Sequence, residues 1–279
     1  NNNIFTLPRP MINILNGGAH AQNSTDIQEF LIIPLKTINF AEALEHGARV
    51  YHALGEIIAR RGMSTAVGDE GGFVPAVKSN REALDLIMEA ITASGLAPGA
   101  EVALGLDVAA SELFQNGQYY FKLDDEILNA ELLTEKYRAW RVSYPLISIE
   151  DPFAEEAWTD TAKLTKDFGK DFQIVGDDLF TTNLTRLKKG IELGASNAIL
   201  IKPNQIGTIT ETIEVFNFAK RAGYKTIISH RSGETEDVSI AHLAVGLNAG
   251  QIKTGAPDHS ERTAKYNELL RIEEELLNH

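Results

Sequence analysis

Cysteine is absent from all 279 residues of the chain, which excludes disulfide bonds and thiol nucleophiles from its chemistry. Long apolar runs are absent too, and none approaches the roughly 20 residues that a membrane-spanning helix requires. The first residues, Asn1–Ile4, lack the features of a secretory signal. These absences are compatible with a reducing compartment, and we expect a cytoplasmic protein without a membrane span.

Positive charge is scarce, because 26 lysines and arginines face 39 aspartates and glutamates. The net charge of −13 disfavours nucleic acids and anionic membrane surfaces as partners. It does not exclude a small anionic substrate, because a few basic residues and a bound metal ion can reverse the sign of the charge locally.

The composition that is present is that of a globular protein, with 43% hydrophobic and 23% charged residues. A length of 279 residues suits either two domains or one α/β barrel. No linker, charge block or low-complexity segment divides the sequence. We therefore expect residues 1–279 to form a single domain.

One stretch near the middle of the chain, Leu146–Phe153, suggests where the chemistry lies. Mostly apolar residues lead into Glu150 and Asp151, and Pro152 then ends the segment. A continuous apolar run of this length is typical of a strand buried on both faces. A carboxylate at the end of such a strand is costly unless a cation meets it. The strand therefore ends either in solvated acids or in a metal ligand.

Five further apolar runs end in a polar residue in the same way. These residues are Asp107, Asp177, Lys202, His230 and Lys253. Apart from a first interval of 43 residues, successive members of the whole series are 23 to 28 residues apart, close to the length of one strand plus one helix. Alternating strands and helices predict a parallel sheet, and a closed (β/α)8 barrel would bring all these residues to one face. The pattern predicts one pocket that contains three acids, two lysines and a histidine.

The beginning of the chain predicts an irregularity in this barrel. Met11–Leu15 and Gln28–Pro34 are strand-like and are joined by a short turn region that contains Asn16–Gly18. So short a connection suits an antiparallel pair better than a crossover. The later loop Gly68–Gly72 is rich in glycine, and its Glu70 is either a solvated acid or an acid held over a ligand.

Helical periodicity predicts helices between the strands. Asn80 and Asn129 are predicted to cap two of them. In the last helix, Glu273–Glu275 are predicted to lie on a solvated face, and Leu276 is predicted to point inward. Predicted ranges are 41–61, 158–168, 183–193, 208–222, 238–246 and 260–277.

The acids and lysines of the series predict metal-assisted proton transfer. Asp107, Glu150 and Asp177 offer only oxygen ligands, which suits Mg²⁺. Lys202 is either a lysine whose ammonium reaches towards solvent or a catalytic base. As a base, it would have a pKa lowered toward neutrality, because Lys253 and the metal disfavour its charged form.

The segment His230–Thr235 has the composition of an anion clamp. Arg231 offers a planar fork of donors and Ser232 offers a hydroxyl. Both groups suit phosphate or carboxylate oxygens.

Nine short motifs occur in order along the chain. They are Asn16–His20, Asp26–Phe30, Gly68–Gly72, Gly105–Ala109, Ser148–Pro152, Gly176–Leu179, Lys202–Thr208, Ser229–Thr235 and Ile252–Gly255. Together they resemble the enolase (phosphopyruvate hydratase) family, from about Leu7 to Leu276.

This resemblance implies a lyase that reversibly dehydrates 2-phospho-D-glycerate to phosphoenolpyruvate in glycolysis and gluconeogenesis, with Mg²⁺ as cofactor. Asp107, Glu150 and Asp177 would hold the metal that binds the substrate carboxylate. Lys202 would remove the C2 proton.

The resemblance also implies roles for the other pocket residues. Glu70, assisted by Glu29 and His230, would protonate the departing C3 hydroxyl. Lys253 would help to neutralise the carboxylate as it becomes a dianion. The remaining positions are Arg231 and Ser232 for phosphate, and His20 and Gln28 in the pocket wall.

For the whole protein, the resemblance implies a TIM-like barrel with a ββαα start and a homodimer or larger homo-oligomer. Enolases have a smaller α+β domain before the barrel, which residues 1–279 do not contain. A loop of that domain closes on the substrate and helps to hold a second Mg²⁺. Without this lid, we expect residues 1–279 to turn over poorly.

Two alternatives belong to other classes. An acid-sugar dehydratase or racemase of the same superfamily could also use strand-end acids and a lysine, but His230–Gly233 and the Glu70 loop argue against it. A catalytically idle barrel could serve as a binding or assembly module. The presence of Lys202 and Glu70 argues against an idle barrel.

Overall fold

The structure, a computed structural model, describes residues 5–21 and 24–278. Its strands are β1 (Arg9–Asn16), β2 (Glu29–Pro34), β3 (Val102–Asp107), β4 (Phe114–Gln115), β5 (Gln118–Phe121), β6 (Glu126–Leu128), β7 (Leu146–Glu150), β8 (Gln173–Gly176), β9 (Ala198–Ile201), β10 (Lys225–Ser229) and β11 (Gly250–Lys253). Its helices are α1 (Phe40–Arg60), α2 (Asn80–Ala93), α3 (Ala130–Ser143), α4 (Trp158–Phe168), α5 (Leu184–Leu193), α6 (Pro203–Ile206), α7 (Ile209–Arg221), α8 (Ser239–Gly246) and α9 (Ser260–Leu277). None of these helices is both long and apolar enough to cross a membrane.

Eight strands close into a barrel in the order β1-β11-β10-β9-β8-β7-β3-β2. Neighbouring strands run parallel except at β2, which is antiparallel to β1 and β3. Because the connection between β1 and β2 is too short for a crossover, antiparallel pairing is the arrangement available to them. The predicted α/β barrel with an irregular ββαα start is confirmed.

The barrel wall is apolar on both sides, because helices cover its outer face and its inner face closes on itself. The interior holds a cluster that is separate from the main core between strands and helices. Its members are Met11, Leu31, Ile33, Val175, Ala198, Leu200 and Ile227. Val175 and Leu200 each lie two residues before Asp177 and Lys202, on the same face of their strands. The cluster is therefore the apolar floor beneath those two side chains.

The predicted helices lie within one residue of their observed bounds, and α4 and α9 match them. Asn129 caps α3 as predicted, and its side chain accepts a hydrogen bond of 2.9 Å from the Leu132 amide. The predicted cap of α2 is wrong. Ser79 caps this helix through a 3.1 Å hydrogen bond from the Glu82 amide, and Asn80 is the first helical residue.

The predicted exposure of two residues of α9 is wrong. Glu273 is buried, and its carboxylate accepts hydrogen bonds from the backbone amides of Phe40 and, at 2.9 Å, Ala41. These amides lie in the first turn of α1, where a helix has no partners of its own for them. Leu276, predicted to point inward, is 37% exposed.

The long first interval of the series contains a small sheet that periodicity did not predict. Strands β4, β5 and β6 pair antiparallel in that order between β3 and α3. Asp26 connects this sheet to the segment before β2, because its carboxylate accepts a 2.9 Å hydrogen bond from the amide of Lys122, directly after β5. The same carboxylate accepts a 2.8 Å hydrogen bond from Nδ2 of Asn80. These bonds fix the segment that leads into β2.

Candidate active site

The strand ends meet at one mouth of the barrel, around a cavity of about 130 Å³. Its lining residues are Gln28, Glu29, Glu70, Asp107, Ala109, Glu112, Asp151, Asp177, Asp178, Lys202, Ser229, His230, Arg231, Ser232 and Lys253. They include ten of the residues proposed from the sequence. Glu150 is fully buried and reaches the same group through Lys253. The side chain of His20 lies outside the part of the chain that the structure describes.

Lys253, at the end of β11, is the electrostatic centre of the pocket. Its Nζ lies 2.8 Å from Oδ2 of Asp107, 2.9 Å from Oε1 of Glu150 and 3.0 Å from Oε1 of Glu29. Burial disfavours the charged ammonium, but the surrounding carboxylates outweigh burial and hold its pKa well above the usual value. One buried cation therefore joins acids from three strands.

The three acids around Lys253 differ in their affinity for protons. Burial raises the pKa of Glu29 well above its usual value, and the nearby Glu70 adds to the effect. Burial and Asp107 raise the pKa of Glu150 in the same way. Burial also opposes ionisation of Asp107, but there the attraction of Lys253 prevails and lowers the pKa. Asp107 is therefore the best carboxylate of the three to remain charged.

Lys202 forms a direct ion pair with Oδ2 of Asp177. Burial acts to lower the pKa of Lys202, but Asp177 reverses the direction and the pKa is raised. This differs from the predicted shift toward neutrality, which considered Lys253 and a metal but not a direct pair with Asp177. The ammonium is therefore held in its charged form by Asp177.

Glu70 is buried and lies in a loop that is held firmly, which contradicts its interpretation as a solvated acid. Its Oε2 accepts a 3.0 Å hydrogen bond from Nδ2 of Asn13, and its Oε1 lies 3.5 Å from Nε2 of His230. Gly71 follows with φ of 83°, a conformation that favours glycine. Tyr51 donates to the Gly71 carbonyl at 2.8 Å. The carboxyl group is thus aimed into the pocket from the β1 side.

The predicted anion clamp follows β10 at the rim of the pocket. Ser232 is exposed, and Arg231 donates from Nη1 to Oδ1 of Asn204 at 3.0 Å. His230 is buried beside them, and burial lowers its pKa to about 3 despite the opposing charge of Glu70. His230 is therefore neutral at physiological pH.

Two overlapping sets of carboxylates could hold a metal ion. Within the described residues, the set whose oxygens lie within 4.8 Å of one another is Asp151, Asp177 and Asp178. The set predicted from the sequence is Asp107, Glu150 and Asp177, two of which contact Lys253. Both sets contain Asp177 and offer only oxygen, so the donor chemistry fits a hard divalent cation such as Mg²⁺.

Asp151 also has a local structural role. Its two carboxylate oxygens accept hydrogen bonds from the amides of Asp177 at 3.0 Å and Asp178 at 2.7 Å. Its φ of 40° is in the left-handed region, and the chain turns sharply there after β7. Burial and Asp177 raise the pKa of Asp178 to about 6.

Sequence reasoning did not assign several residues of the site. Asp151 and Asp178 each follow a predicted ligand directly, so the doubled acid at two strand ends was a usable signal. Asn13 lies inside a strand and gave no such signal. Arg262, which donates to the Arg231 carbonyl at 2.6 Å, lies in α9, where nothing in the local pattern sets it apart from surface charges.

Comparisons with known proteins agree with this geometry. The family model described as "Enolase, C-terminal TIM barrel domain" matches residues 4–279. The enolase of Acidothermus cellulolyticus (strain ATCC 43068 / DSM 8971 / 11B) is 55% identical over 274 residues, which cover 98% of this chain and 63% of that protein. The chain thus spans about 63% of the length of the curated relative it matches. It belongs to the enolase family and carries that family's C-terminal TIM barrel.

Proposed function

We propose that the protein catalyses the enolase reaction, the reversible dehydration of 2-phospho-D-glycerate to phosphoenolpyruvate in glycolysis and gluconeogenesis. The observation that supports this best is the placement of Lys202 and Glu70 in one small pocket. Lys202 follows β9, whereas Glu70 is held against β1, and strands β10 and β11 lie between them. A base and an acid so separated can act on opposite faces of one substrate.

Lys202 is the proposed base that removes the C2 proton. It can accept a proton only if its ion pair with Asp177 is replaced, because that pair holds the ammonium in its charged form. Burial and the charge of Lys253 would then both lower its pKa. The pair with Asp177 therefore controls when Lys202 becomes basic.

We further propose Mg²⁺ as the cofactor, held by Asp107, Glu150 and Asp177. When bound, it supplies positive charge next to the substrate carboxylate, where negative charge develops as the C2 proton leaves. Lys253 places a second positive charge at the same side of the pocket. Gln28, whose Nε2 lies 3.4 Å from Oδ2 of Asp107, is proposed to orient this region.

Glu70 is the proposed acid that protonates the leaving C3 hydroxyl. It requires a proton at neutral pH, and the proposed source is Glu29, whose pKa burial and the nearby Glu70 raise well above the usual value. His230 is neutral and therefore does not stabilise ionised Glu70 by charge. Arg231 and Ser232 are proposed to bind phosphate at the rim, and His20 is proposed to line the pocket.

The experiment that tests this function separates proton removal from dehydration in the complete protein supplied with Mg²⁺. Lys202→Ala should abolish exchange of the substrate C2 proton with solvent deuterium. Glu70→Gln should retain exchange of the C2 proton, but its rate of dehydration should fall at least about a hundredfold. This is the usual effect of losing a general acid. Wild-type exchange in Lys202→Ala would place the base elsewhere, and absence of phosphoenolpyruvate formation by the unaltered protein would refute the function.

Three properties of the complete protein are proposed from family membership. They are a cytoplasmic location, a homodimer or larger homo-oligomer, and closure of the pocket by a loop from outside residues 1–279. Light scattering combined with size-exclusion chromatography tests the second, because a monomeric mass would contradict it.

A further inference from the structure

Arg262, in the first part of α9, is fully buried and makes four hydrogen bonds behind the pocket. Nη1 lies 2.6 Å from Nδ1 of His230 and 2.6 Å from the Arg231 carbonyl. Nη2 lies 2.7 Å from the Ser232 carbonyl and 3.0 Å from the Asp69 carbonyl. A buried guanidinium is costly unless its donors are satisfied. These acceptors serve both terminal nitrogens, whereas Nε has no hydrogen-bond partner among the described residues.

The contact with His230 determines where the imidazole carries its proton. A guanidinium has only donors, so Nδ1 of His230 must be the acceptor. The neutral imidazole therefore carries its proton on Nε2. That nitrogen lies 3.5 Å from Oε1 of Glu70, an electrostatic contact that is longer than a typical hydrogen bond.

The other contacts connect two loops that carry the proposed chemistry. Asp69 precedes Glu70 in the acid loop, whereas Arg231 and Ser232 belong to the anion clamp. A single planar group therefore binds carbonyls of both loops and connects them directly.

We propose that Arg262 is a positioning residue that fixes His230 as the Nε2–H tautomer and sets the distance between the Glu70 loop and the anion clamp. Its consequence for turnover rests on the proposed function, whereas the tautomer and loop geometry do not. Arg262 touches neither substrate nor reacting atoms in this assignment and acts through His230 and the loop backbones.

Lys265 provides a matched control on the same helix. It is also fully buried and donates to Oε2 of Glu234 at 2.8 Å, to the Glu261 carbonyl at 2.7 Å and to the Thr235 carbonyl, so that it contacts only the far end of the anion clamp. Its described contacts include neither His230 nor Asp69. Removal of its charge therefore tests the loss of a buried α9 cation without the loss of the connection proposed for Arg262.

The decisive experiment is ¹⁵N NMR of histidine-labelled protein, with the His230 signals assigned by comparison with His230→Gln. The unaltered protein at pH 7 should show a protonated Nε2 and an unprotonated Nδ1. Arg262→Met should yield a mixture of tautomers, Arg262→Lys should retain the original pattern, and Lys265→Met should not change it. A protonated Nδ1 in the unaltered protein would overturn the proposal even if Arg262→Met fails to fold. An unchanged tautomer in folded Arg262→Met would also overturn it.

A kinetic measurement examines the loop connection in the complete protein. Arg262→Met should lower kcat for dehydration at least tenfold and raise KM for the phosphorylated substrate, while C2 proton exchange falls less. Arg262→Lys should recover part of both changes, and Lys265→Met should alter kcat less than Arg262→Met. Equal losses in the two methionine variants would overturn the proposed loop connection. Absence of turnover in the unaltered protein would refute the proposed function but leave the tautomer result standing.

Discussion

Glu150 uses only one of its two carboxylate oxygens in its buried ion pair with Lys253. Oε1 lies 2.9 Å from Nζ of Lys253, whereas Oε2 has no hydrogen-bond partner among the described residues. A buried carboxylate oxygen without a partner is unfavourable. The free oxygen therefore supports Glu150 as a ligand for a cation.

Two variants distinguish the two candidate metal sets, and a third tests the residue that the sets share. Asp177→Asn should weaken Mg²⁺ binding in either case, because both sets contain Asp177. Glu150→Gln should weaken Mg²⁺ binding at least about tenfold. In metal sites generally, removal of even a residue that only supports a ligand costs at least this much. Asp178→Asn should leave the affinity within about twofold. Calorimetric titration with Mg²⁺ measures all three, and the opposite ranking of Glu150→Gln and Asp178→Asn would assign the metal to Asp151, Asp177 and Asp178.

Protonation of His230 should weaken the fold as the pH falls. Burial lowers its pKa to about 3, so below its ordinary value of about 6.5 the unfolded chain takes up a proton that the folded chain does not. The stability from this group is present above pH 6.5 and is lost progressively at lower pH. Between pH 7 and pH 5 the loss should be about 2 kcal/mol.

His230→Gln removes this proton uptake and keeps an acceptor for Arg262. Urea unfolding at pH 7, 6 and 5 in the presence of a chelator should show a shallower decline for His230→Gln than for the unaltered protein. Parallel declines would mean that His230 does not contribute the predicted linkage.

The carboxylate of Glu273 should contribute to stability by capping α1. Glu273→Ala leaves the amides of Phe40 and Ala41 without this acceptor and should lower the free energy of unfolding by about 1–3 kcal/mol. Glu274→Ala, on the exposed side of the same helix, should change it by less than about 0.5 kcal/mol. Urea unfolding measures both values, and equal effects would show that the cap adds nothing.

Residues 1–279 produced alone should fold and bind Mg²⁺ but turn over 2-phosphoglycerate very poorly. The closed barrel has its own core, whereas the closing loop proposed above lies outside these residues. Each lost transition-state contact of about 1.4 kcal/mol lowers the rate tenfold. Turnover equal to that of the complete protein, measured with saturating Mg²⁺, would show that the lid is dispensable.

The barrel was predictable because its signal is local and repeated. Apolar runs that end in Asp107, Asp177 and Lys202 recur at the spacing of one strand and one helix, and parallel strands bring such ends together. The short strands β4–β6 gave no comparable signal, because they are only two to four residues long and their exposed and buried positions do not alternate over a useful length.

The site could be predicted as a set of residues but not as a network of contacts. The sequence predicts a lowered pKa for Lys202 as a base. Only the three-dimensional arrangement shows that Asp177 raises this pKa instead. Glu273 and Arg262 were missed for a related reason. Each is a charged residue in a helix, and its partners lie far along the chain, in Ala41 and His230.

The closure of the barrel between β1 and β11 also determines when the pocket can exist during synthesis. β1 lies near the start of the described chain, yet its parallel partner includes Lys253, opposite Met11. A ribosome must therefore release nearly the whole domain before β11 can pair with β1 and close the sheet. Pairing between strands so far apart in the sequence is slow. Until then, an apolar strand remains available to other chains. Because Lys253 belongs to the closing strand, Asp107 and Glu150 also acquire their shared counter-ion only at this last step.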